Sequence, residues 1–124
     1  MNKTEKRQGI SLFGFVAVAS NVLMCATVID RASITAQERT ALAVVYYLAF
    51  VAVVETAVMY LGAKSDSLYR VAAGIFAITF AIMLVLPILF TNVGLTILGG
   101  TAIIFVCLGG VLALLGAMFA VIPA

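Results

Sequence analysis

Apolar residues dominate four stretches of the chain, and polar or turn-forming residues separate them. The stretches cover residues 10–29, 41–63, 71–90 and 95–122. A helix needs about 20 apolar residues to cross a hydrocarbon layer about 30 Å thick. Each stretch meets that length, and tilt or protrusion accommodates the longer fourth. None shows the alternating apolar and polar period of barrel strands. The pattern predicts an all-α integral membrane protein. Residues 1–124 form one domain of four transmembrane helices in an up-down bundle.

The breaks carry helix-end chemistry. Residues 30–40, DRASITAQERT, form the one polar loop of any size. Thr35-Ala-Gln-Glu38 fits a capping box, in which Thr35 receives the Glu38 N–H and Glu38 reaches back. The second helix is therefore expected to start near Ala36. Asp30 and Arg31 read as a local pair in a solvated loop. In residues 62–70, GAKSDSLYR, Gly62 or Ala63 ends the second helix. Ser65, Asp66 or Ser67 caps the third. Residues 91–94, TNVG, carry no charge, so helices three and four are expected to form a tight antiparallel hairpin. Pro87 removes a helical hydrogen bond in the last turn of helix three and is expected to bend it there.

Charge adds an orientation. Lys3, Lys6 and Arg7 precede the first helix, and Lys64 and Arg70 lie between the second and third. Arg31 and Arg39 lie between the first and second. Four spans put both termini on one side, which then holds five basic residues against two. The positive-inside rule places both termini in the cytoplasm. The start also resembles a signal peptide, with Ala17-Val-Ala19 as an A-x-A cleavage site. The apolar run continues past Ala19 to Ile29, so the segment is read as a span.

Composition strengthens the membrane reading. Of 124 residues, 65% are hydrophobic and 10% charged, with mean hydropathy +1.28. A soluble domain is roughly half apolar and a quarter charged. A net charge of +2 without a basic, aromatic-interleaved patch argues against nucleic acid. The absence of histidine removes bis-histidine haem, histidine zinc sites and histidine triads. Cys25 and Cys107 lie in apolar runs and read as free thiols. No nucleophile elbow, phosphate loop, CxxC or HExxH motif is present. The chain is therefore expected to be no enzyme and to hold no cofactor.

Glu55 is the candidate of interest. It lies in VAVVETAVMY, residues 51–60, the one charge between Arg39 and Lys64. Its helical face holds Ala41, Val44, Leu48, Val51, Ala52, Met59 and Gly62. Small residues let helices approach within lipid, so Glu55 is expected to point into a protein interface. A charged group there costs about 2.5–3.5 kcal/mol. It either stays protonated or finds a partner, and Ser20, Asn21, Thr27 and Thr79 are the candidates. No lysine or arginine lies deep enough to pair with it. Three roles stay open: a structural acid, a contact to another chain, or a proton or cation site.

Asn21, in SNVLMCAT, is expected to bond across to a neighbouring helix. At 1.5 Å per residue it falls near the depth of Glu55, and the two are expected within side-chain reach. On the fourth helix, Gly99, Ala102, Val106, Gly110, Ala113 and Ala117 share a stripe flanked by Gly109, Gly116 and Ala120. Gly109, Ala113 and Ala117 form a small-xxx-small repeat. That stripe fits either the chain's own helices or a partner. Phe105, Leu112 and Phe119 lie away from it and are expected to meet lipid or a neighbour.

The chain resembles small multidrug exporters in carrying one membrane glutamate in a four-helix chain of about this size. It departs from them in holding the acid in its second helix, without tryptophan, and no membership follows. The expected function is a non-catalytic accessory or structural subunit that packs against a larger membrane complex. The alternative is a minimal homo-oligomeric transporter or channel using Glu55. Expected partners are the lipid bilayer and other membrane subunits or copies of the chain itself.

Overall fold

In the computed structural model, which describes residues 2–29 and 34–121, the chain forms four helices. They are α1 (Lys3–Val28), α2 (Ala36–Leu61), α3 (Asp66–Phe90) and α4 (Gly94–Val121). All four are long and apolar enough to cross a membrane. The Asp30–Arg31 pair, the end of the fourth run at Ile122 and the side chains of Phe119 and Ala120 lie outside the described residues.

Local chemistry sets the helix ends. Asn2 Oδ1 accepts the Glu5 N–H at 2.8 Å, so α1 begins well before the apolar run at Ile10. The polar first turns take a helical backbone without difficulty, since lysine, glutamate, arginine and glutamine are good helix formers. At α2 the capping box is complete. Thr35 Oγ1 accepts from Glu38 N and Glu38 Oε1 accepts from Thr35 N, each at 3.1 Å. The other Glu38 oxygen accepts the Asn92 N–H at 2.8 Å and ties the start of α2 to the α3–α4 turn. Those two backbone donors, Asn92 first, hold the Glu38 carboxyl below the usual carboxylate range. Of the three capping candidates for α3, Ser65 is the N-cap.

The α3–α4 turn is tight. Helix α3 runs through Pro87 to Phe90, and the Thr91 N–H and hydroxyl both donate to Pro87 O, at 2.9 and 2.6 Å. A Cβ placed on Gly94 would collide with backbone atoms of Pro87 and Ile88. Glycine is required there by close approach, since none of the described residues adopts positive φ.

Helix α2 packs against α1 and α3, and α4 packs against the same two. Contact between α1 and α3 is narrow. The core holds Val18, Cys25 and Val28 from α1, Leu42, Val45, Ala49 and Ala52 from α2, Met83 from α3 and Ile97 from α4. Three helices converge at Gly14, where a Cβ would lie 3.1 Å from the Phe76 ring and 3.5 Å from Thr56.

Polar ties clamp the two ends. At one, Arg7 is 8% exposed. Its Nη2 pairs with Asp66 Oδ1 at 2.6 Å, and its Nη1 donates to Ala63 O at 3.0 Å. Its guanidinium also lies 4.8 Å from the centre of the Tyr69 ring. Lys3 adds a second pair to Asp66 at 3.3 Å. Hydrogen bonds from Arg7, then Lys3, hold the Asp66 carboxyl below its ordinary range. At the other end Arg39 Nε donates to Ile29 O at 3.2 Å.

Candidate functional site

Glu55 lies on the side of α2 that meets α3. Its Oε1 is 2.9 Å from Thr79 Oγ1, and Thr79 is buried. Thr79 was one of four partners open to this acid. Phe76 and Phe80 stack beside it on α3, with ring centres 5.8 Å apart. Glu55 Oε2 is enclosed and has no hydrogen-bond partner. Among the described residues, no lysine or arginine pairs with this carboxyl.

The hydroxyl of Thr79 also lies 2.9 Å from Ile75 O. A threonine hydroxyl has one hydrogen, so it serves one of these acceptors at a time. The site thus offers three acceptor oxygens around one donor, and one carboxyl oxygen stays unsatisfied. Burying an unsatisfied polar atom costs about 1–3 kcal/mol. A proton or another cation arriving at Glu55 would relieve that shortage.

Asn21 is fully buried, but it does not meet Glu55. Its Nδ2 donates to Thr101 Oγ1 on α4 at 3.3 Å, and Thr101 donates to Ile97 O at 2.6 Å. Cys25 Sγ donates to Asn21 Oδ1 at 3.8 Å. The expected Asn21–Glu55 pair is therefore replaced by two separate links, α1 to α4 and α2 to α3. Depth along the helices alone did not set the partner. Asn21 is on the side of α1 that packs against α4, and the backbones of α4 and α2 do not approach each other closely.

The small residues of α4 divide unequally. Gly109 is buried, with Phe13 3.2 Å from where its Cβ would stand. Gly99, Ala102, Gly110, Ala113, Gly116 and Ala117 are exposed. The side of α4 that meets the bundle carries Ile97, Thr101, Phe105 and Gly109, spaced by four. Phe105, expected to lie away from the small-residue stripe and to meet lipid or a neighbour, meets Phe13 edge-on with ring centres 6.4 Å apart. Thr101 went unremarked in the sequence, and so did the burial of Arg7. Thr101 offers its oxygen to the Asn21 amide on α1, and this pairing of polar groups was the available signal for the inner face of α4.

Among the described residues, no group of three possible metal ligands comes together. No protein-family model matches the chain, and neither a curated protein nor a solved structure matches it.

Proposed function

We propose that the chain is a multi-pass membrane protein, alternating up and down through the bilayer with both termini cytoplasmic, that acts as a non-catalytic accessory subunit. It packs against a larger membrane complex through α4. The observation that carries this reading is the state of residues 110–118, every one of which is exposed. That half of α4 holds Gly110, Ala113, Gly116 and Ala117, and nothing lies within 4 Å of a Cβ placed on Gly110 or Gly116. Small residues gain little from contact with lipid, whereas a second helix packs closely on them. The membrane assignment draws support from large apolar side chains all around the molecule, including Phe50 and Leu61 on α2 and Leu89 on α3. Soluble proteins rarely expose such continuous apolar surface.

A second reading, a homo-oligomeric transporter or channel, rests on the unsatisfied Glu55 Oε2. Two variants separate the readings. Gly110→Leu with Ala113→Leu is expected to abolish co-purification with a distinct membrane protein while the isolated fold survives. Glu55→Gln keeps the shape and removes titration, and under the subunit reading it leaves that association intact. Loss of proton-coupled flux in liposomes on Glu55→Gln, with no distinct partner recovered, favours the transporter instead.

A further inference from the structure

Hydroxyl groups along the helices repeat one arrangement. Ser11, Ser20, Thr40, Thr91 and Thr101 each give their single hydrogen to the carbonyl oxygen four residues back, at 2.6–3.0 Å. A hydroxyl used in this way keeps a lone pair for a donor from elsewhere. Thr101 shows the complete form. It donates to Ile97 O and accepts from Asn21 Nδ2 on α1.

Thr79 has the same surroundings with one difference. Its Oγ1 is 2.9 Å from Ile75 O, four residues back, and 2.9 Å from Glu55 Oε1 on α2. Two oxygen–oxygen contacts of that length need two hydrogens. The hydroxyl supplies one, and the other five hydroxyls commit theirs to the helix carbonyl. The second hydrogen then comes from the carboxyl, which has one to give only in its acid form.

We infer that Glu55 is a loaded proton-binding site, in which its Oε1 donates to Thr79 Oγ1 and Thr79 donates in turn to Ile75 O. The inference rests on the membrane assignment. It sharpens the transporter reading by naming the bound ion as a proton, and it stands without transport. No charge on the surrounding helices replaces that proton. Arg70 lies nine residues before Thr79, about 14 Å along α3. Arg7 and Lys3 are held by Asp66 at that same end, with Tyr69 against Arg7. Glu5 and Lys6 belong to the first turns of α1, and Lys64 follows the end of α2. Glu38 and Arg39, at the other end of α2, are bonded to Asn92 and Ile29. Cys25 is bonded to Asn21, Tyr46 and Tyr60 line the α1 side of α2, and Tyr47 is exposed. With the proton on Oε1, the enclosed Oε2 is a neutral carbonyl oxygen. Without it a charged oxygen stands there unpartnered, at a far larger desolvation cost. A metal ion fits poorly. Hard cations take about six oxygen ligands, and Thr79 is the one side chain bonded to Glu55 among the described residues.

The test is infrared spectroscopy of the full chain in phosphatidylcholine bilayers and neutral buffer. The wild type is expected to show the carbonyl band of a protonated carboxyl, and Glu55→Gln should remove it. An amide at this position donates to Thr79 in the same way, so folding is preserved. Thr79→Val takes away the acceptor and should move the band to higher frequency, whereas Thr79→Ser keeps the oxygen and should leave the band in place. A wild-type spectrum with carboxylate bands alone, a protonated band that survives Glu55→Gln, or one that Thr79→Val leaves unmoved overturns the inference. The first two results do not depend on the threonine variants folding. Proton-coupled flux is a separate measurement, and its absence with the band present rejects transport while leaving this site standing.

Discussion

Replacing Gly94 with valine is expected to destabilise the fold by about 3 kcal/mol, at the upper end of what overpacking costs. The reason is the nature of the obstacle. At Gly100 a side chain would meet the flexible end of Met24, which has room to move. At Gly94 the obstacles are backbone atoms of Pro87 and Ile88. They are fixed by the last turn of α3, where Thr91 binds Pro87 O twice. Relief requires moving α4 away from α3, which weakens the α1–α4 link through Asn21 and Thr101. Denaturant titration in micelles checks this, with Gly110→Val as the comparison. Gly110 faces open space and should change the stability of the isolated chain by less than about 1 kcal/mol, the helix-propensity difference. Equal effects at the two glycines would contradict the close approach at the hairpin.

Arg7→Leu is expected to cost about 2 kcal/mol, in the range for hydrogen bonds made by a charged group. It removes the link to Ala63 O, the pair with Asp66 and the contact over Tyr69 together. Arg7→Lys should recover part of the loss, because an ammonium keeps the charge but lacks the planar fork that reaches two acceptors at once. The same cluster gives a pH dependence. The folded state holds the Asp66 carboxyl below its ordinary range, so the unfolded chain binds its proton first as pH falls. Stability from this group is present above the unfolded value and is lost as pH drops through the lower, folded one. Glu38 acts in the same direction through Asn92 and Thr35. Unfolding midpoints should therefore fall with acidification below about pH 4. Asp66→Asn should flatten that slope partly, leaving the share due to Glu38.

Helix number, the Ala36 start and the Thr35–Glu38 box were legible because each is local. A twenty-residue apolar run and a capping sequence depend on neighbours within one turn. The early start of α1 was less legible, since membrane length marks where a helix meets lipid and not where its backbone begins. Partner choice among interior polar groups depended on which helices adjoin. Asn21 and Glu55 were matched by depth, whereas the fold directs Asn21 to Thr101 and Glu55 to Thr79. The inner side of α4 was the least legible. Glycine and alanine recur along that helix, and both of its sides permit close approach. The feature that marks the inner side is Thr101, whose oxygen accepts from Asn21 while its own hydrogen goes to Ile97 O.

Site-specific photo-crosslinking in cells tests the accessory role most directly. A photoreactive residue is placed in turn at Gly110, Ala113 and Ala117 on α4, and at Ile78, an exposed position on α3. The account predicts one discrete adduct with a different membrane protein from the three α4 positions and none from Ile78. Adducts to lipid alone from α4, or only to other copies of this chain, would contradict it.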